Sequence, residues 1–291
     1  MPELCVHVGR DEVCAIESLA TLPASLARVL ALVQDDSSTA LDLAEVISSD
    51  QALTMRVLRT VNSAYYGLHR QVRTISEAVV ILGFNEVERL ATTISVMSLF
   101  SKDRESIRAL QLLWRHSMAC SVAAGALEHA PECAKADLGG AHVAGLLHDV
   151  GKAVLAQHFP GAFAEIFRVV QEQGTTGLEA EELVMSGVNH AMVGGWLAEQ
   201  WDLPEALVEA IALHHRPEEA GKGNSLPAVV YTADSLCNCL GMGSATAKPV
   251  EAEQPLTGQR FALGDATVDS IHALLQKRRG LIGAMTAGVH C

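Results

Sequence analysis

The chain has 291 residues, 49% of them hydrophobic and only 4% aromatic, with a formal net charge of −13. That length holds one large domain or two modest ones around a full apolar core. The acidic balance argues against a general nucleic-acid or anionic-membrane binder, since both need a basic field; a small nucleotide is not excluded, because a cation or local Lys and Arg can reverse the sign. No stretch approaches the roughly 20 continuous apolar residues of a membrane span.

Residues 1–18 read as a loose lead-in. Leu22, Leu26, Val29, Leu30 and Val33 then follow one helical face, with Pro23 suited to a first turn. A short helix over Leu43–Ile47 follows. Asp50 is placed to cap a helix carrying Leu53, Val57, Leu58 and Val61. Thr74 and Glu77 have capping-box spacing ahead of Ile75, Val79 and Leu82. Gly83 ends that helix, and another runs from Asn85 to about Phe100. Residues 43–62 superficially resemble a DNA-reading helix-turn-helix with Arg56, Arg59, Arg70 and Arg73 as contacts. The acidic whole favours a solvated helix face instead, and no DNA is expected as a partner.

The second half is predicted helical over Trp114–Leu127, Gly140–Gln157, Phe163–Gln173, Leu178–Met185, Asn189–Gln200, Glu205–His215, Leu226–Leu240 and about Asp265–Arg279. A loop over 241–260 and a Gly-rich tail complete it. Ala and Leu abound and no period-two alternation is found, so the expected fold class is all-α. Seven cysteines without a CxxC pair, and no secretory signal, predict a cytoplasmic protein with reduced thiols. Cys237 and Cys239 lie near Asp234, where they fill space or serve as auxiliary ligands.

Seven side chains carry the chemistry: His116, His148, Asp149, His190, His214, His215 and Asp234. Imidazole with carboxylate suits a divalent transition ion, and one carboxylate can serve two ions. His148 and Asp149 are expected inside the apolar helix 140–157, where an unpartnered carboxylate costs several kcal/mol or more. An ion pair with Lys152, three residues on, would also satisfy Asp149, with His148 hydrogen-bonded. His190 precedes the small-residue face Val193, Gly194 and Gly195, where another backbone can approach. Asp234 lies in an otherwise apolar helix. One metal site accounts for all of them together.

The stretches LPASLARVLALV (22–33), ISSDQALTMRVLRTVNSAYYGL (47–68), ISEAVVILGFNEVERL (75–90), AGLLHDVGKAVL (144–155) and NHAMVGGWLAEQWDLPEALVEAIALHH (189–215) resemble the HDOD domains. These are bacterial signal-transduction relatives of the HD phosphohydrolases. The resemblance implies an N-terminal helical lobe over 19–105 and an HD-type helical bundle over 106–240; composition places the loop at 241–260 and a C-terminal helix and tail at 261–291. His116, His148, Asp149 and Asp234 match the ligand set of metal-dependent HD enzymes. His190, His214 and His215 match the extra histidines of HD-GYP cyclic-dinucleotide phosphodiesterases, and Lys152 matches their HDxGK lysine. The GYP segment itself is absent, the chain reading HHRPEEAGKG (214–223), and Leu112 stands where a third-metal Glu can occur.

Two roles follow from the resemblance. One is a regulatory module that binds other signalling proteins through its N-terminal lobe, with or without a metal or nucleotide in the HD cavity. The other is a phosphohydrolase with one or two divalent ions (Fe, Mn, Zn or Ni), Asp149 serving both ions and Lys152 facing the phosphoryl oxygens. A purely structural metal that staples the bundle is a third reading.

Overall fold

The computed structural model describes residues 6–33, 35, 37–100, 107–133, 138–221, 225–243 and 263–287. The described residues are helical with no strand, as the periodicity requires. In chain order the helices are α1 (Arg10–Cys14), α2 (Ala24–Val33), α3 (Ala40–Ser48), α4 (Gln51–Val61), α5 (Ile75–Leu82), α6 (Phe84–Leu99), α7 (Ile107–Leu127), α8 (Ala141–Leu147), α9 (Val150–His158), α10 (Pro160–Gln173), α11 (Gly177–Val184), α12 (His190–Gln200), α13 (Glu205–Ala212), α14 (Leu226–Cys239) and α15 (Asp265–Ala287). Short 3-10 turns lie at Glu17–Leu19, Pro131–Cys133 and Pro217–Glu219. The chain divides into two units: 1–20 with 102–278, and 21–101 with 279–291.

The smaller unit packs α2, α3, α4 and α5 around α6. Leu26 and Val29 of α2, Leu43 and Ile47 of α3, Val57 and Val61 of α4, and Val87 and Val96 of α6 supply its buried face. Its helix starts are written in the sequence. Thr39 and Asp42 form a complete capping box, and Thr74 accepts from the Glu77 amide. Asp50 accepts from the Leu53 amide at 3.0 Å and from the Ser25 hydroxyl at 2.8 Å, so one carboxylate both starts α4 and fastens it to α2. Asp50→Ala is expected to lower stability by about 1–2 kcal/mol, the usual loss for a cap, readable as an earlier urea midpoint with unchanged slope. Asn62 closes the turn after α4, its amide donating to the Val72 carbonyl and its oxygen accepting from the Val72 amide, both at 2.8 Å. Arg56, Arg59, Arg70 and Arg73 are exposed, and Arg70 pairs with Glu77 at 3.2 Å.

Three expectations need correction. The described part of the lead-in, residues 6–18, is not loose: Val8 and Val13 are buried, and Leu19 just after it is buried too. Gln200 donates to the Cys14 carbonyl, Trp201 Nε1 to that of Leu19, and Arg10 pairs with Glu199. The last helix does not stop at Arg279 but continues through Gly280 and Gly283 to Ala287. Burial of Leu281, Ile282 and Met285 outweighs the roughly 1 kcal/mol that each helical Gly costs. The apolar run 140–157 is two helices rather than one, broken at His148 and Asp149. The expected loop 241–260 falls, after residue 243, outside the described residues.

The larger unit joins α7 to α8 and α14, and α12 to α9 and α13. Glycines set the closeness of two of these pairings. A Cβ on Gly145 would stand 2.7 Å from the Cys120 carbonyl, and one on Gly151 only 1.9 Å from the His190 carbonyl. Without those hydrogens-for-side-chains, α8 could not approach α7, nor α9 approach α12.

Candidate metal centre

His116 projects from the middle of α7. His148 and Asp149 form the break between α8 and α9, with Asp149 at φ −97°, ψ 12°. Consecutive residues of an unbroken helix point about 100° apart; the break turns this pair toward one place. Asp149 stands at the first turn of α9, yet its side chain makes no capping bond there and faces the cluster instead. His190 opens α12, whose start is fixed by Asn189 accepting from the Met192 amide at 3.1 Å. His214 and His215 follow α13 in a turn rather than completing the helix, and Asp234 lies on α14.

All seven predicted side chains converge. His116 Nε2 lies 3.0 Å from Asp234 Oδ1 and 3.7 Å from Asp149 Oδ2, and His148 Nε2 lies 3.5 Å from Asp149 Oδ2. On the other side of the same carboxylate, Asp149 Oδ1 lies 3.1 Å from His190 Nε2 and 3.9 Å from His214 Nε2. His190 Nε2 is in turn 3.3 Å from His214 Nε2 and 3.1 Å from His215 Nε2. The two oxygens of Asp149 thus face two separate groups of imidazoles. Lys152 Nζ stands 2.8 Å from Asp149 Oδ2, so the local ion pair exists as well and does not compete with convergence.

The tautomers follow from the outer partners. His116 Nδ1 is 2.9 Å from the Met242 carbonyl, His148 Nδ1 is 2.8 Å from that of Gly145, and His214 Nδ1 is 2.8 Å from that of Ile211. A carbonyl can only accept, so each Nδ1 carries the proton and donates it outward. His190 Nδ1 likewise donates to Glu181 Oε2 at 2.6 Å, and the His190 amide donates to the same oxygen at 2.8 Å. Each inward Nε2 of the neutral rings is therefore a bare lone pair. Gathering lone pairs at about 3 Å beside carboxylates is unfavourable unless protons or a cation lie among them. His148 Nε2 has no hydrogen-bond partner among the described residues, and Asp149 Oδ1 makes no bond of proper geometry despite its near neighbours. This donor set fits a divalent ion held by imidazole and carboxylate, each histidine oriented by its outer bond.

The electrostatics divide the rings: His116 and His190 are pushed toward the protonated form, and His148, His214 and His215 toward the neutral one. Burial pushes His116 down, but its bond to Asp234 and the charges of Asp234 and Asp149 more than reverse this, holding it at about 9. Burial also pushes His190 down, and the Glu181 charge leads the groups that raise it above its ordinary value. Burial, then the neighbouring histidines, push His214 far down, and burial with His190 takes His215 to about 3. Burial opposes ionisation of Asp149, yet Lys152, His148 and His190 together hold it well below the carboxylate range. Asp234 is likewise held down by His116 against the opposing effect of burial.

The sequence missed three participants. Glu181 is buried in α11 and orients His190, but nothing in the run EAEEL separates it from its solvent-facing neighbours. The Met242 carbonyl belongs to the main chain, which spacing cannot reveal. Cys120 lies on the face of α7 that carries His116, its Sγ 3.6 Å from His116 Nε2; the H-x3-C spacing was a usable signal. Cys237 is buried, whereas Cys239 is exposed. Leu112, one turn before His116, offers no ligand atom and is partly exposed.

A helical bundle with an adjacent His-Asp pair at its centre, met by His and Asp from neighbouring helices, defines the class: an all-α protein of HD type. The model of the HDOD domain matches residues 19–217, and the chain belongs to the HDOD domain family. An uncharacterized protein of Treponema pallidum (strain Nichols) is 28% identical over 209 residues, which is 70% of this chain and 40% of that protein. The chain thus spans less than half of that relative. Among solved structures, it is similar to an HDOD domain protein of unknown function from Geobacter sulfurreducens, 25% identical with a TM-score of 0.70 over 92% of each chain. A protein of Shewanella amazonensis provisionally named a phosphohydrolase shares 22% identity and a TM-score of 0.68, over 93% of this chain and 94% of that one. One of Marinobacter aquaeolei provisionally named a signal transduction protein shares 24% and 0.74, over 93% of this chain and 59% of that one. The last two likenesses concern the fold. No described helix is long and apolar enough to cross a membrane.

Proposed function

We propose that the chain is a regulatory module of bacterial signal transduction whose HD-type bundle holds one or two divalent transition ions. The observation that carries the metal assignment is the outward-donating Nδ1 atoms of His148 and His214, which leave the bare Nε2 of each facing a different oxygen of Asp149. His116, His148, Asp149 and Asp234 would hold one ion; Asp149, His190, His214 and His215 the other. The regulatory part draws on family membership and on the smaller unit, which exposes Leu41, Met55, Val80 and Ile81 to solvent. These residues lie on α3, α4 and α5, and a protein-docking surface is proposed to include them. Signalling proteins are the partners proposed for it, and the cytoplasm the proposed location.

The runner-up is a metal-dependent phosphohydrolase, favoured by Lys152. Its ammonium group is anchored on Asp149 beside the cluster, where it can face a phosphoryl oxygen. A bound ion supplies Lewis acidity and an activated water at neutral pH. The chain's own groups would position the phosphoester, exclude bulk water and keep each imidazole in one tautomer. Without a GYP segment some of the groups that would contact the non-reacting parts of cyclic di-GMP are missing, and specificity depends on such contacts.

Metal analysis of protein purified without chelator tests the assignment. One to two equivalents of transition metal are expected, and chelation is expected to lower the melting temperature, because a ligand of the native state stabilises it by mass action. Less than a tenth of an equivalent after incubation with each candidate ion would overturn the reading. The loaded protein is then offered bis(p-nitrophenyl) phosphate and cyclic di-GMP with Mn²⁺. Absent or weak turnover of the first and none of the second is expected; efficient, Asp149-dependent cleavage of cyclic di-GMP would promote the enzyme to first place.

A further inference from the structure

We infer that the two ion positions are unequal: Glu181, acting through His190, makes the position at His190, His214, His215 and Asp149 Oδ1 the tighter one, filled before the position at His116, His148, Asp234 and Asp149 Oδ2. The inference rests on the metal-centre reading above and adds to it an order of filling and a positioning residue.

The acceptors behind the histidines differ. His116, His148 and His214 each direct Nδ1 at a main-chain carbonyl, that of Met242, Gly145 and Ile211 respectively. His190 instead directs Nδ1 at a carboxylate, with Glu181 Oε2 at 2.6 Å. A charged acceptor draws the Nδ1 proton more strongly than a neutral carbonyl, which makes Nε2 the better electron donor to an ion. The same oxygen accepts from the His190 amide at 2.8 Å, so ring and main chain are fixed together. Glu181 is buried, and its charge stands one imidazole away from the ion position.

The surrounding chain holds this support in place. Ser186 at φ 55° and Gly187 at φ 91° turn the chain after α11 and return His190 beside Glu181. Glu182 Oε1 accepts from Asn189 Nδ2 at 3.0 Å and pairs with Arg216 at 3.2 Å, which ties together the residues next to His190 and His215.

The two oxygens of Asp149 supply an independent observation. Oδ2 already accepts from the Lys152 ammonium group at 2.8 Å. An ion beside His116 and His148 must share that oxygen with a positive charge, and like charges this close repel. Oδ1, on the side of His190 and His214, is buried and makes no hydrogen bond of proper geometry among the described residues. Asp234 gives the His116 position a carboxylate of its own. Its Oδ1, however, already accepts from Asn238 at 2.8 Å and lies 3.0 Å from His116 Nε2. An ion entering there competes with partners already in place, whereas Asp149 Oδ1 is uncommitted.

Zinc added stepwise to metal-free, full-length protein carrying isotope-labelled histidine tests the order. Ring-nitrogen resonances of His190, His214 and His215 are expected to move with the first equivalent, and those of His116 and His148 with the second. Glu181→Gln keeps the shape and an acceptor but removes the charge. It should weaken zinc binding read at His190 by roughly 10–100-fold, the usual loss when such a partner is changed, without weakening binding read at His116. In its zinc form the His190 Nδ1 proton should also move upfield, having lost a charged acceptor. Asp234→Asn should do the reverse, weakening only the binding read at His116. If His116 and His148 move first, or both sets move in step, the inference is overturned and the metal centre stands. Glu181→Gln that leaves binding at His190 unchanged, or weakens both positions alike, overturns it too. A wild type that takes a single zinc ion must hold it at His190, or the inference falls. A wild type that binds none overturns both the inference and the metal centre. The wild-type titration does not depend on any variant folding.

Discussion

Asp149→Ala is expected to lose essentially all bound transition metal and to melt far below the parent protein. Asp149 Oδ2 faces His116 and His148 while Oδ1 faces His190 and His214, so its removal takes an oxygen from both groups at once. It also takes from the part-buried Lys152 its 2.8 Å partner. Removing one member of a buried charged pair costs about 3–5 kcal/mol, which for a chain of this size corresponds to a drop on the order of 10 °C. Asp149→Asn keeps the shape and removes the charge, and should lose metal with less damage to folding. His142→Ala, close in sequence but outside the cluster, should keep its metal. Equal metal content in the Asp149 and His142 variants would sink the assignment.

Gly151→Ala should be the most damaging glycine-to-alanine change among the described glycines. Helix propensity alone points the other way, since Ala is favoured over Gly by about 1 kcal/mol within a helix. Contact decides the sign. The added methyl would stand 1.9 Å from the His190 carbonyl oxygen and 2.9 Å from the Gly194 nitrogen, and both are backbone, so neither side can simply rotate away. Overpacking that moves a backbone costs 1–3 kcal/mol or more; about 3 kcal/mol is expected here. Because α12 carries His190, the displacement also separates His190 from Asp149, and metal affinity should fall at least tenfold. Gly161→Ala in α10 is the control, with nothing within 4 Å of the new methyl, and should be neutral or slightly stabilising. Urea midpoints and metal content together check both variants; an undiminished midpoint for Gly151→Ala would refute the packing argument.

The site was legible because charge in an apolar helix demands an explanation. Asp149 and Asp234 stood out against Leu, Val and Ala, and the histidines gave them a shared one. The small-residue face Gly194 and Gly195 also meant what it suggested: a Cβ at either would press on Ile211 or Ala212, so α12 and α13 pack closely just before His214. The break at His148 was not legible, because periodicity reads composition, and the residues on both sides are equally apolar. Glu181 was hidden for the opposite reason: it is one acid among several, and only the fold buries it. α1 was missed because five residues hold too few apolar positions for a helical period to appear, while its docking on α12 is decided by contacts nearly two hundred residues apart in sequence.

The bond from His116 Nδ1 to the Met242 carbonyl bears on where the functional unit ends. The HDOD match stops at residue 217, yet Asp234 and the main chain at 242 lie beyond it. The chemistry therefore runs past the matched stretch: residues 19–217 supply all five histidines of the cluster, and the residues after it supply one acid and the acceptor that aims His116. Because that acceptor is a peptide group, no side-chain substitution at 242 can remove it. Only a shift in the path of the chain could, which makes residues 234–242 a place where evolution could retune the ion-binding properties of an HDOD bundle without altering any residue of the family signature.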